Sequence, residues 1–580
     1  MTDWQIAEQA ERGMKTFRQL GADLGLEEHE LLPMGKSLGK VDYARVMSRI
    51  GNRVPGKYVD VTAITPTPLG EGKTTTTIGL MEGLGRIGKR VTGAIRQPSG
   101  GPTFNVKGSA AGGGLAQCIP LTPFSIRLTG DMDSVTNAHN LAMVALTARM
   151  QHEINYDDDA LKKRNLHRHD IDPARVRMKW AMDFCAQSLR NIVIGHGGKM
   201  DGCKMDSGFQ ISASSEVMAI LAVSRDLRDL RSRMAKIVVA ESRDGREITT
   251  ADLGVDGAMT AWLLDAINPN LLQTMEGNPI FVHAGPFANI AIGQSSIIAD
   301  QLGTRLGEYH VTESGFGADI GFEKFWNLKC RLSGLVPSAV VIVATIRALK
   351  MHGGGPAVKP GVKLDEAYTK ENLGLLEKGC ENLLAHINVV KKSGISPVVC
   401  INSFHTDSKS EFALVKKIAA QNGAIAVVSE HWLKGGEGAI ELAEAVVEAS
   451  SRISNFKFLY EMNLPLRKRI RLIATELYGA SDVSYSDVAL EKAKKIEADP
   501  LASKLGTCMA KTHLSLSHDP SLKGRPHGWV LPVKDILIYR GAGFVVPVAG
   551  DIKLMPGTAS RPAFMNVDVD VDTGKVKGLF

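Results

Sequence analysis

Thr67-Pro-Leu-Gly-Glu-Gly-Lys-Thr-Thr75 follows the apolar run Tyr58-Val-Asp-Val-Thr-Ala-Ile64 and leads into a stretch of helical character. A strand that ends in a glycine-rich turn before a helix aims backbone N–H groups, and the positive end of that helix, at one spot where phosphate can sit. Gly70 and Gly72 let the backbone approach closely, Lys73 reaches the outer phosphates, and the Thr74 hydroxyl is placed to ligate magnesium. The pattern G-x-x-x-x-G-K-[ST] begins with glycine, whereas this chain has Thr67 between Pro66 and Pro68, which stiffens the turn. Thr67, Pro68, Leu69, Gly70, Glu71, Gly72, Lys73 and Thr74 are therefore the expected ATP-binding residues, with magnesium entering alongside the nucleotide. The competing reading is an ordinary helix start.

Working outward, apolar strand-like runs at 59–65, 91–95, 191–195, 236–240, 279–283 and 339–345 alternate with helical patterns, which predicts an α/β fold with a parallel sheet of the P-loop NTPase kind. After the turn, Ile78, Met81, Leu84 and Ile87 recur every third residue, while Gly79, Gly83, Gly85 and Gly88 allow close packing against the sheet. The glycine- and proline-rich stretch 351–361 suggests a boundary. The expected organisation is a nucleotide-binding domain over 1–360, a smaller α/β domain over 361–455 and a C-terminal α+β region over 456–580. In the second unit, a helix over 375–389, a strand over 397–402, a helix over 410–421 and a strand over 424–429 form a small parallel set.

Composition narrows the class. A 580-residue chain that is 44% hydrophobic and 23% charged has the make-up of a multidomain globular enzyme. Lys and Arg total 69 against 62 Asp and Glu, without a long basic block, so nucleic acid is not the expected partner. Anionic small molecules fit that mild positive balance. The seven cysteines form no C-x-x-C pair and read as reduced thiols. Residues 1–9 lack a secretory pattern, and the most apolar stretch, 336–346, is too short to cross a bilayer. The expectation is a cytoplasmic protein without a membrane partner. Asp568 to Gly574 imitates a calcium loop, but Thr573 and Leu579 stand where that loop needs glycine and glutamate, so an edge strand is expected there.

Arg96-Gln-Pro-Ser99 follows the second strand, and ligands of parallel sheets bind beyond the carboxyl ends of strands. Arg96 is thus expected beside Lys73, two cations bracketing a transferring phosphoryl group, unless it forms a structural ion pair. The tract Gly108-Ser-Ala-Ala-Gly-Gly-Gly114 lies close by in sequence and reads alternatively as a mobile loop. Asp131 and Asp133, in Leu128-Thr-Gly-Asp-Met-Asp133, are candidates for binding magnesium or accepting a proton, or for capping a helix.

Taken in this order, the pieces resemble the formate–tetrahydrofolate ligase family over essentially the whole chain. The blocks that carry the resemblance are T-P-L-G-E-G-K-T, R-Q-P-S-x-G-P, 276–290, 344–354, His431-Trp-Leu-Lys-Gly-Gly-Glu-Gly438, 541–551 and Lys577-Gly-Leu-Phe580. The resemblance implies activation of formate by ATP to formyl phosphate and transfer of the formyl group to tetrahydrofolate, giving 10-formyltetrahydrofolate, ADP and phosphate. It also implies a homotetramer activated by monovalent cations. On that resemblance Lys73 and Arg96 are catalytic, Arg96 holds formyl phosphate, and Asp131 helps the folate amine lose its proton. Phe404 and Trp432 match the pterin-stacking pair. Without the resemblance, each would read as a core aromatic. The chain departs from the family pattern at Gln97, Gln210, Ile292, Ser403 and His405. Two alternatives remain: a switch or partitioning ATPase, which would usually carry a second lysine early in the loop, and a non-catalytic folate-binding protein.

Overall fold

The computed structural model describes residues 1–580 except Ser109, Pro360 and Phe580, which fall within three of the sequence blocks quoted above. Ten strands define the path of the main sheet: β1 (Leu31–Pro33), β2 (Gly39–Val41), β3 (Lys57–Ala63), β4 (Val91–Ile95), β5 (Asn270–Thr274), β6 (Pro279–Val282), β7 (Tyr309–Glu313), β8 (Ala339–Ala344), β9 (Pro397–Asn402) and β10 (Ile425–Ser429). They lie in the order β1-β2-β5-β6-β4-β7-β3-β8-β9-β10. From β6 to β10 every neighbouring pair is parallel, while β5 pairs antiparallel with both β2 and β6. Five helices matter below: α1 (Asp3–Glu11), α2 (Lys73–Arg86), α3 (Asp131–Asn155), α4 (Ile346–His352) and α5 (Leu373–Lys392). The central strands β3, β4, β7, β8 and β9 are buried on both faces because helices cover both, and β8 and β9 read as continuous hydrophobic runs for that reason.

Two expected strands do not join this sheet. Ile192–Ile194 forms a small antiparallel pair with Met205–Ser207, and Val238–Ser242 pairs antiparallel with Glu247–Thr249 and Ile171–Val176. In both cases a partner close in sequence satisfies the ladder, and an apolar run does not say which sheet it will enter. β9 and β10, expected in the unit 361–455, continue the main sheet directly from β8. Residues beyond 456 share a hydrophobic core with that sheet, since Ile470, Tyr478, Leu531 and Val545 cluster with Val340, Ile342, Leu383 and Val399. Near the chain end, Asp568–Asp570 pairs antiparallel with Lys575–Lys577 as a hairpin, the edge strand expected there, closed by a Lys577–Asp570 ion pair.

The glycines of α2 do not chiefly serve the sheet. A Cβ on Gly79 would stand 2.5 Å from His431 Cβ, and one on Gly83 would stand 2.6 Å from the Ala439 carbonyl oxygen. They let α2 press against the segment that follows β10, bringing the end of the main sheet's last parallel strand to the helix that follows the glycine-bent turn. Gly83→Ala is therefore expected to destabilise the fold. Overpacking against fixed backbone costs about 1–3 kcal/mol, more than the ~1 kcal/mol of helix propensity gained. A lowered thermal midpoint for Gly83→Ala, with Gly13→Ala as a control at an open position, checks this.

Candidate active site

The turn between β3 and α2 is held by its own carboxylate. Glu71 is buried, with Oε1 accepting the Thr67 N–H at 2.8 Å and Oε2 accepting the Thr345 hydroxyl at 2.5 Å. Burial raises its pKa, and these hydrogen bonds oppose the rise. Glu71 thus clamps the loop to the end of β8 and does not face a ligand through its side chain. Thr67 contributes in the same internal way, its hydroxyl accepting from Leu69 N–H at 3.2 Å. Gly70 and Gly72 adopt φ of 76° and 73°, and a Cβ on Gly72 would stand 2.6 Å from Asn402 Nδ2, which itself donates to Glu71 O at 3.1 Å. Pro68 and Gly70 are exposed at the turn and Leu69 is half-buried.

Lys73 opens α2. Burial lowers its pKa, Glu313 pulls it back up, and the neighbouring Arg96 guanidinium lowers it again, so the two expected cations belong to one electrostatic site. Arg96 follows β4, close to where a Cβ on Gly315 would stand (3.7 Å from Nη1), and its buried Nε has no hydrogen-bond partner among the described residues. Thr74 Oγ1 donates to Glu313 Oε2 at 2.7 Å. Sequence reading missed Glu313. It ends β7, the parallel strand between β4 and β3, and Glu-Ser-Gly after the mixed run Tyr-His-Val-Thr was the weak signal available.

Three buried histidines brace this region. His352 Nε2 is bonded to Thr65 O at 2.8 Å, His386 Nε2 to Thr65 Oγ1 at 3.0 Å and His431 Nε2 to Thr76 Oγ1 at 3.2 Å. Burial pushes all three down to about 4.

The aromatic candidates stand at the ends of adjacent parallel strands, Phe404 two residues beyond β9 and Trp432 three beyond β10, with Ser403 N–H donating to Ser429 O at 3.1 Å. Phe404 N–H donates to Asp407 Oδ2 at 2.9 Å, and the Arg347 guanidinium lies 4.0 Å over the Phe404 ring. Trp432 is 50% exposed. Its other side rests on the glycine tract. A Cβ on Gly114 would stand 2.8 Å from Trp432 Cδ2, Leu115 N–H donates to Trp432 O at 2.9 Å, and Asp3 of α1 accepts from Gly114 N–H at 3.0 Å. Gly113 and Gly114, the tract's last two glycines, thus form the seat of Trp432. Lys434 is paired with Glu430 on the surface.

Asp131 begins α3 and is buried against Lys40, with Lys40 Nζ at 2.7 Å from Oδ1 and Asn270 Nδ2 at 2.8 Å from Oδ2. Its carboxylate is already shared among protein donors. Asp133, by contrast, pairs with Arg127 at the surface. Among the departures, Gln97 is buried and its Oε1 has no hydrogen-bond partner among the described residues, Gln210 lies 3.4 Å from His139 Nε2, and Ile292 is fully buried. Among the described residues no group of His, Cys, Asp and Glu forms a metal cluster, and no helix is long and apolar enough to cross a membrane. All seven cysteines are free.

A glycine-bent turn with two cations beside it and two aromatic side chains thus open at the same end of one sheet of an α/β enzyme. The chain belongs to the formate–tetrahydrofolate ligase family, whose model matches residues 1–580. It is 65% identical over 580 residues to the formate–tetrahydrofolate ligase of Dehalococcoides mccartyi strain CBDB1, covering all of this chain and 97% of that protein. The namesakes in Desulforapulum autotrophicum, 62% identical over 582 residues, and Thermodesulfovibrio yellowstonii, 58% over 580, are each matched over all of this chain and 98% of their own length.

The histidines make stability depend on pH. Each is kept neutral in the fold but takes a proton in the unfolded chain near its ordinary value of 6.5, so stability is full above that pH and falls as pH drops toward 4. The expected loss is roughly 1.4 kcal/mol per pH unit for each such group. Urea titrations at pH 7 and pH 5 check this, and His431→Gln should shallow the dependence by one proton.

Proposed function

We propose that this chain ligates formate to tetrahydrofolate with ATP, by way of formyl phosphate, giving 10-formyltetrahydrofolate, ADP and phosphate. The observation that carries the reading is that β3, β8, β9 and β10 are consecutive parallel neighbours, so the loop after β3 and the aromatics after β9 and β10 open side by side. In the first step a formate oxygen attacks the terminal phosphorus of ATP, a new P–O bond forms and the bond to the ADP oxygen breaks. Charge on the transferring oxygens is met by Lys73 and Arg96, and the backbone N–H groups at the start of α2 cradle the chain of phosphates. The unpartnered Arg96 Nε supplies a donor for the acyl phosphate.

Thr74 and Glu313 offer two hard oxygen donors 2.7 Å apart, the type magnesium takes, and they would hold it. Bound there with ATP, magnesium would neutralise charge on the outer phosphate oxygens. In the second step the folate N10 attacks the formyl carbon, the C–O bond to phosphate breaks, phosphate leaves and N10 loses a proton, for which the Asp131 carboxylate is the proposed acceptor. Phe404 and Trp432 hold the pterin between aromatic faces. The resemblance further implies a cytoplasmic homotetramer activated by a monovalent cation.

ADP release by purified protein with magnesium ATP, omitting formate or tetrahydrofolate in turn, tests the reading. Turnover that needs both substrates and yields one 10-formyltetrahydrofolate per ADP supports it, and substrate-independent hydrolysis would point to a switch ATPase. Lys73→Ala should abolish turnover while tetrahydrofolate still binds. Trp432→Ala should leave kcat largely intact and raise the folate KM roughly 5- to 150-fold, the equivalent of one stacking contact worth about 1–3 kcal/mol.

A further inference from the structure

β8 lies between β3, which carries the phosphate-type turn, and β9, which carries Phe404. Whatever emerges from the carboxyl end of β8 must therefore sit between the two half-sites. That position belongs to Arg347, the second residue of α4, in a sequence block to which neither the motif reading nor the family resemblance gave a role. The start of α4 is fixed on both sides of it: Thr345 caps the helix by accepting Ala348 N–H at 3.2 Å and donates its hydroxyl to the loop carboxylate of Glu71.

The guanidinium is divided among three environments. Its Nη2 faces Gly70 O of the phosphate turn at 3.4 Å, its plane lies 4.0 Å over the Phe404 ring, and its buried Nε has no hydrogen-bond partner among the described residues. Burial lowers its pKa, with the Glu71 and Asp407 carboxylates opposing, and an arginine remains charged under such burial. A buried charged donor left unmatched inside the protein costs stability unless a ligand supplies the acceptor. At the rim of a phosphate turn, that acceptor is a phosphoryl oxygen.

We propose that Arg347 is a positioning residue shared by the two half-sites, its free Nε–H donating to a terminal phosphoryl oxygen of the bound triphosphate while its face supports Phe404 beneath the folate. This rests on the reading of the loop and of Phe404 given under the proposed function. A planar, forked cation performs both tasks at once, which lysine cannot.

The test measures dissociation constants for magnesium-bound β,γ-imido-ATP, for magnesium-bound ADP and, anaerobically, for tetrahydrofolate. The proteins are the parent, Arg347→Met, Arg347→Lys, Phe404→Ala and the Arg347→Met/Phe404→Ala pair. Arg347→Met should weaken the triphosphate analogue about tenfold or more, the scale of a lost charged hydrogen bond, and ADP by less than about threefold, since ADP lacks the terminal group. It should weaken tetrahydrofolate about fivefold, the scale of a lost cation–π support, while the double variant binds folate no worse than Phe404→Ala alone. Arg347→Lys should recover most of the triphosphate affinity and little of the folate affinity.

Equal losses for ADP and the triphosphate analogue would overturn the proposal, as would folate losses that simply add in the double variant. A general structural defect would produce the first of these patterns. If Phe404→Ala alone leaves folate affinity unchanged, the placement of the folate fails, and with it the Arg347 support of that ligand. The comparison of ADP with the triphosphate analogue still decides the phosphoryl contact.

Discussion

The contact on which the site depends is the approach of α2 to the segment after β10, made possible because Gly79 and Gly83 present no side chain. Helices packed through ordinary side chains stand 8–10 Å apart. Here a hydrogen in place of a methyl lets the imidazole of His431 and the backbone of Ala439 lie directly on the helix that begins with Lys73. Trp432, the next residue, is consequently fixed with respect to the phosphate turn through a few rigid contacts. The hydrogen bond from His431 to Thr76 adds direction to what packing alone would leave free to rotate.

Electrostatics around the turn show how three clustered cations are tolerated in the fold. Lys73, Arg96 and Arg347 would repel one another in a low-dielectric setting. Glu313 offsets Lys73, and Glu71 with Asp407 offsets Arg347. The carboxylates are not equivalent. Glu71 spends both oxygens on the loop, whereas Glu313 offers one to the Thr74 hydroxyl, a bond that can be exchanged for another oxygen ligand at little cost.

Much of this was legible in the sequence because backbone demands leave marks. The strand, the turn and Lys73 are written contiguously, and β4, β8, β9 and β10 are apolar runs of the right length. Arg96 followed from the rule that parallel sheets bind ligands at their carboxyl ends. What was hidden depends on pairing across long separations. The runs near 192 and 238 look like sheet strands yet close into local pairs, and β7 with its Glu313 carries little signal until β3 and β4 are seen on either side of it. The glycine tract read as a mobile loop, and Gly113 and Gly114 proved to face Trp432, more than 300 positions away. The buried Lys40 counter-ion of Asp131 was hidden in the same way, since it lies 91 residues earlier.

The strand order also works as a ruler. Neighbouring strands are held about 4.8 Å apart by main-chain hydrogen bonds. The turn after β3 and Phe404 after β9 are therefore two spacings apart, about 10 Å at their roots, with Trp432 one spacing further. That gap is set by peptide geometry and not by any side chain. On the proposed function, substitutions of Phe404 or Trp432 alter how tightly a flat ring is held, but the reach between the two half-sites changes only if a strand is gained or lost. Substrate choice and the span of group transfer would thus be inherited separately, one residue by residue and the other with the sheet itself.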